Sequence, residues 1–148
     1  MIKKILCAVD FSEYTEEVVA YALEVSKRFD AELHLIHVIP LVACIAPYET
    51  FLLPEHMLEM ERNMDREAEE QFERLLKRLH HPAKKVVRKG IAFLEIVGYA
   101  REEGIDLIVV GTHGRTGVQH MLIGSVAEKV VRKSPCPVLT VRPRSSLR

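Results

Sequence analysis

Leu107-Ile108-Val109-Val110-Gly111-Thr112-His113-Gly114 sets an apolar run against a glycine-rich turn, and Gly124-Ser125 follows with nine residues between. The apolar run lacks polar alternation, as expected of a strand covered on both faces in a parallel sheet. Behind Ser125 the spacing of Val126, Val130 and Val131 predicts a helix, stopped by Pro135 and Pro137. Strand, glycine turn and helix therefore follow one another. Glycines let a backbone approach a ligand closely and adopt dihedrals that other residues avoid. A helix N-terminus offers unpaired N–H groups and a partial positive charge to a phosphate. Ser125 adds a hydroxyl, and Arg115 a charge, for the same phosphates.

Outward from this unit, Ile2–Val9, Glu32–Val38, Lys84–Lys89 and Val138–Val141 read as further strands. Helical stripes lie between them. Val18, Ala22, Val25 and Phe29 form one, with Ser12 or Thr15 as its start signal. Met57, Met60, Met64, Ala68, Phe72, Leu75 and Leu79 form a longer one between Pro54 and Pro82, whose methionines read as core packing. Phe93, Ile96, Val97 and Ala100 form a third, closed by Gly104. The order β-α-β-α-β-α-β-α-β has no internal repeat or linker. It predicts one α/β domain over residues 1–148: an open, doubly wound, five-stranded parallel sheet with helices on both faces, Rossmann-like in architecture. In such sheets ligands bind beyond the carboxyl ends of the strands, where the strand order reverses. That rule points to the positions after Val9, Val38 and Val110. Asp10, directly after the first strand, can accept hydrogen bonds from ribose hydroxyls; it can equally cap the helix that follows.

The composition is that of an ordinary globular chain, 48% hydrophobic and 28% charged over 148 residues. Lys+Arg and Asp+Glu balance at 21 each, which argues against a general field for nucleic acid or an anionic membrane. Cys7, Cys44 and Cys136 are odd in number and widely spaced, so neither a disulfide framework nor a zinc site is signalled. The first apolar stretch ends at Asp10, too early for a signal peptide. The segment Ile39–Leu53 is interrupted by Glu49 and too short to span a bilayer. A cytoplasmic location is the expectation.

The pattern Gly111-x2-Gly114-x9-Gly124-Ser125 resembles the ATP-binding signature of the universal stress protein family. The opening Ile5-Leu6-Cys7-Ala8-Val9-Asp10-Phe11-Ser12 is similar to that family too, as are Gly124–Val131 and Pro135-Cys136-Pro137-Val138, so the likeness spans the chain. It implies a sheet like those of the adenine nucleotide alpha hydrolases and an adenine nucleotide, ATP or else ADP or AMP, as ligand. Ala8, Val9 and Asp10 would then line the adenosine, with Asp10 facing the ribose. Val38 would meet the adenine edge through its backbone, and Val110 and Gly111 would lie against the nucleoside. Gly114, Arg115, Gly124, Ser125 and Val126 would surround the phosphates. Any Mg²⁺ or Mn²⁺ would be carried by those phosphates, with no protein side chain as ligand. The sequence departs from some relatives at Ala127, where they carry a hydroxyl that reaches a phosphate oxygen. The resemblance also implies a homodimer through Val138–Val141, a pairing that would cover an apolar edge strand about a two-fold axis.

Signs of catalysis are sparse. There is no Gly-x4-Gly-Lys-Ser/Thr, and spacing reveals no nucleophile–base constellation. His113 lies in the glycine segment, either as a structural hydrogen-bonder or as a general base. His34 and His37 are three apart, so they face opposite sides of a strand and make poor joint metal ligands. His80-His81 ends a helix, where the dipole accounts for it. The expectation is a nucleotide-dependent regulatory module of the stress response, read by an unidentified protein partner. Ile39–Leu53 is then either a partner-facing surface or a cover for the nearby core. The alternatives are a slow ATP-hydrolysing or nucleotide-transferring enzyme and a nucleotide-free scaffold dimer.

Overall fold

The apolar runs form five strands: β1 (Lys4–Ala8), β2 (Glu32–Ile39), β3 (Lys84–Lys89), β4 (Leu107–Gly111) and β5 (Val138–Val141). The computed structural model describes residues 1–42, 53–114 and 123–144. Within them the helices α1 (Thr15–Phe29), α2 (Pro54–Leu79), α3 (Ala92–Glu103) and α4 (Ser125–Lys133) alternate with the strands. All pairings are parallel, in the order β3-β2-β1-β4-β5. Ile5 of β1 stands between Leu33 of β2 and Leu107 of β4. The chain thus winds outward from β1 to β3, then returns to the other side of β1. The order reverses between β1 and β4, and the open, doubly wound sheet is the architecture expected.

Alternation along the strands divides the core in two. Ile5, Cys7, Leu35 and Val109 pack with Val18, Val19 and Ala22 of α1 and Phe72 and Leu75 of α2. On the opposite face, Leu6, Ile36 and Ile108 pack with Ile96, Tyr99 and Ala100 of α3 and Val130 of α4. His34 bonds to Tyr99 on this second face, whereas His37 meets Phe72 on the first, as their odd separation requires. Among the described residues no helix is long and apolar enough to cross a membrane.

Several expectations need correction. The first strand begins at Lys4 rather than Ile2: the Asp106 carboxylate accepts the N–H groups of Lys3 and Lys4 at 2.8 and 2.9 Å, pinning the strand entry. These two donors hold the Asp106 carboxyl below the usual carboxylate range. β2 runs one residue further than expected, to Ile39. Phe29 is 53% exposed, because the buried stripe of α1 ends on Ser26. The Ser26 hydroxyl donates to the Ala31 carbonyl at 2.7 Å, so a polar side chain is satisfied in the core where an aromatic one was expected. On α4 the buried pair is Ala127 and Val130, with Val126 and Val131 exposed. On α2 the fully buried stripe begins only at Ala68 and continues through Phe72 and Leu75.

The two edges of the sheet differ in chemistry. β3 carries Lys84, Lys85, Arg88 and Lys89, paired with Glu103, Glu69, Glu102 and Asp65 of the flanking helices. Charge of this kind discourages edge-to-edge association. β5 is the opposite edge, and Val138-Leu139-Thr140-Val141 carries no charge.

Candidate functional site

The reversal of strand order between β1 and β4 opens a cleft of about 260 Å³ at their carboxyl ends, room for a nucleoside-sized body rather than a single ion. Ala8, Val9 and Asp10 enter it from β1, Val38 from β2, and Val110 and Gly111 from β4. Gly114 closes one side, and Gly124, Ser125 and Val126 bring in the start of α4. Arg115 lies outside the described residues, as do Cys44 and most of Ile39–Leu53. The exposure of Val126, unexpected for a core stripe, is explained by its place at the cleft mouth.

Asp10 is fixed by the turn into α1. Its Oδ1 accepts the Ser12 N–H at 2.9 Å and the Thr15 hydroxyl at 3.2 Å. The Ser12 carbonyl in turn accepts the Thr15 N–H. Both readings of Asp10 have a basis in this geometry, since one oxygen braces the helix entry while the residue borders the cleft. The helix cap position itself belongs to Tyr14, which makes no side-chain capping bond. Phe11 follows with φ 56°, a left-handed backbone that an aromatic residue adopts only when its surroundings hold it there.

The three described glycines of the segment, Gly111, Gly114 and Gly124, are required by the protein's own contacts. A Cβ on Gly111 would stand 2.9 Å from Cγ2 of Val18, and one on Gly124 would stand 2.9 Å from the Thr112 carbonyl oxygen. A Cβ on Gly114 would collide with Oδ2 of Asp10. None of the three has a positive φ, so unusual dihedrals, expected from the sequence, are not the reason for glycine here. Close approach is. Because Gly124 has no side chain, its N–H reaches the Thr112 carbonyl at 2.6 Å, and this bond joins the end of β4 to the start of α4.

The first turn of α4 faces the cleft. The N–H groups of Ser125, Val126 and Ala127 have no intrahelical partner by helix geometry, and among the described residues no side chain caps them. With the helix dipole they make an anion-attracting end. Opposite, Ala8, Ile36, Val38, Ala92 and Ile96 supply an apolar wall. The site thus has an apolar slot, a carboxylate and an uncapped helix end.

Sequence reasoning passed over several lining residues. Thr112, next to Gly111, is buried; its N–H donates to the Val141 carbonyl, and its hydroxyl lies 2.9 Å from Nδ1 of His113. That engagement, with the Tyr14 ring edge-on at 6.3 Å, supports the structural reading of His113. His37 adjoins Val38 and is signalled by the same strand-end rule that picked out its neighbour. Ala92 and Ile96 belong to α3, and only the tertiary fold brings them to the cleft.

A family model described as the universal stress protein family matches residues 1–142. Universal stress protein MJ0577 of Methanocaldococcus jannaschii is 34% identical over 161 residues, spanning 99% of this chain and 98% of that one. Its solved structure superposes with a TM-score of 0.79, covering 97% and 98% of the two chains. Universal stress protein YxiE of Bacillus subtilis is 33% identical over 154 residues, 96% of this chain and all of its own. A universal stress protein solved in complex with cAMP shares the fold at a TM-score of 0.60 and 21% identity, covering 94% and 96% of the two chains.

Proposed function

The chain belongs to the universal stress protein family, and from that premise we propose that it is an ATP-binding regulatory module. The observation that carries this reading is the pairing, across one cleft, of the Asp10 carboxylate with the uncapped first turn of α4. A carboxylate suits ribose hydroxyls, a helix N-terminus suits phosphate, and the apolar wall between suits a purine. Ala8, Val9 and Val38 contact the adenosine, with Asp10 on the ribose and Val110 and Gly111 against the nucleoside. Gly114, Arg115, Gly124, Ser125 and Val126 hold the phosphates, and Mg²⁺ or Mn²⁺ enters with the nucleotide. Such an assignment agrees with the cAMP complex of the fold relative, an adenine nucleotide held by a protein of this architecture.

Two copies pair through β5, the uncharged edge, and the nucleotide-bound dimer is what a protein partner in the stress response reads. The charge along β3 favours this choice of edge. Mass spectrometry of ligand released from freshly purified protein, followed by calorimetry with ATP, ADP and AMP, tests the reading. An adenine nucleotide is expected in the first measurement and saturable heat in the second. No heat with any of the three overturns it, and steady Mg²⁺-dependent turnover of ATP replaces the binding module with an enzyme.

A further inference from the structure

His37 is a buried residue at the end of β2 whose ring does what a backbone strand does elsewhere in the sheet. The Val9 N–H donates to the Ile36 carbonyl at 2.8 Å, continuing the β1–β2 pairing one residue past β1. The Val9 carbonyl then lies 2.8 Å from Nδ1 of His37. A carbonyl oxygen only accepts, so Nδ1 carries the proton and donates. Both polar groups of the last residue before Asp10 are therefore tied to β2. The same ring lies 4.5 Å from the Phe11 ring, centroid to centroid, and Phe11 meets Phe72 edge-on at 5.2 Å. Phe11 is the residue with the left-handed backbone. Asp10 thus sits between two residues that His37 holds, one by a hydrogen bond and the other by ring contact.

We propose that His37 is the positioning residue of the nucleotide site, fixing the Val9–Ser12 turn so that the Asp10 carboxylate meets the ribose already oriented. This rests on the nucleotide reading above and adds to it the group that presets its carboxylate. Small errors in the placement of such a group weaken binding without unfolding the protein, and so its supporting shell matters. Without the Nδ1 donor, the Val9 carbonyl loses its partner and the constraint on Phe11 loosens.

The test uses the full chain with His37→Asn, His37→Gln and His37→Leu. The amide nitrogen of Asn stands two bonds beyond Cβ, as Nδ1 does, whereas that of Gln stands one bond further out. Calorimetry with ATP is expected to give His37→Asn an affinity within about 3-fold of the parent. The Gln and Leu variants are expected to lose about 10-fold or more, the size of one hydrogen bond to a fixed partner. Packing alone predicts the reverse order, because Leu fills the buried site better than Asn; melting temperatures record that separate effect. If folded His37→Leu binds ATP as the parent does, or His37→Asn falls as far as His37→Leu, the proposal is overturned.

Hydrogen exchange of the Ser12 amide, which donates to Asp10, reads the turn without ligand. It is expected to quicken about 10-fold or more in the Leu and Gln variants and to stay near the parent's rate in His37→Asn. Unchanged exchange in all three overturns the positioning role. A parent protein that binds no adenine nucleotide sinks the nucleotide reading instead, and the exchange pattern then still decides whether His37 sets the turn.

Discussion

The Asp10 carboxylate occupies the space that a side chain on Gly114 would need. Oδ1 is held by the Ser12 amide and the Thr15 hydroxyl, and Oδ2 lies over the Gly114 Cα. Two segments about a hundred residues apart in sequence therefore fit as one surface, and the glycine pattern records that fit. In the nucleotide reading, moving either partner disturbs both the ribose and the phosphate ends of the ligand.

Gly114→Ala is accordingly expected to lower ATP affinity by about 10-fold or more, with Asp10→Ala similar, as for loss of a hydrogen bond to a charged group. The double variant should bind no more weakly than the worse single one, since removing the carboxylate leaves room for the new methyl. Calorimetry over the four proteins measures the coupling. Additive losses would mean that the two residues act independently.

Gly124→Ala should act on the fold itself. Its new methyl meets a backbone carbonyl rather than a flexible side-chain end, so about 1–3 kcal/mol of stability is expected to be lost. Gly98→Ala is the internal contrast. It lies within α3 with nothing within 4 Å of the added carbon and should gain roughly 0.5–1 kcal/mol. Thermal unfolding of the pair checks the signs, which should be opposite.

Burial pushes the Cys7 thiol up to about 12. The folded protein then keeps a proton that the unfolded chain loses above its ordinary value of 9.0. This contribution is complete below pH 9 and is lost as pH rises toward 12, by up to about 1.4 kcal/mol per pH unit. Cys7→Ala should flatten the alkaline limb of a denaturant-stability profile measured from pH 8 to 10.5. In native protein at pH 8, Cys7 should also resist a thiol reagent that modifies it after unfolding.

At the acid end the sign reverses. The Asp106 carboxyl, lowered by the Lys3 and Lys4 amides, contributes stability above the unfolded carboxylate value that is lost as pH falls through its own lower one. Asp106→Asn is expected to flatten the profile below pH 4. An unchanged acid limb would mean that the strand entry holds without this charge.

Thr140→Lys places a charge on the exposed edge residue of β5, where the proposed two-fold pairing brings like charges together. Sedimentation is expected to show the parent as a dimer and the variant shifted toward monomer, with unfolding of the monomer little altered. A parent that sediments as a monomer removes the β5 dimer from the reading.

Much of the fold was legible because strand parity and strand–helix alternation are local properties. The absence of polar residues in Leu107–Val110 announced a strand covered on both faces, and the three-residue gap separated His34 from His37. The strand-end rule led to one cleft, around which all the chosen residues other than Arg115 are gathered. What the sequence hid was long-range. The need for glycine at 111 and 114 comes from Val18 and Asp10, far away in the chain. The burial of Ser26 in place of Phe29 depends on a carbonyl five residues ahead, at Ala31, and the contact of His37 on the Val9 carbonyl, just past the end of β1.

β1, which precedes the other four strands in chain order, is the central one of the sheet. β1 pairs with β2 early, but its other neighbour, β4, begins at Leu107. A nascent chain that stops short of β4 has Asp10 but neither Gly111 nor the first turn of α4, and so only one bank of the cleft. Synthesis must pass Gly111 before the strand order can reverse, and Ser125 before α4 can supply the other bank. In the nucleotide reading, the ability to recognise a ligand therefore arrives late, once the β3–α3–β4 crossover has closed against β1 and α4 has followed it.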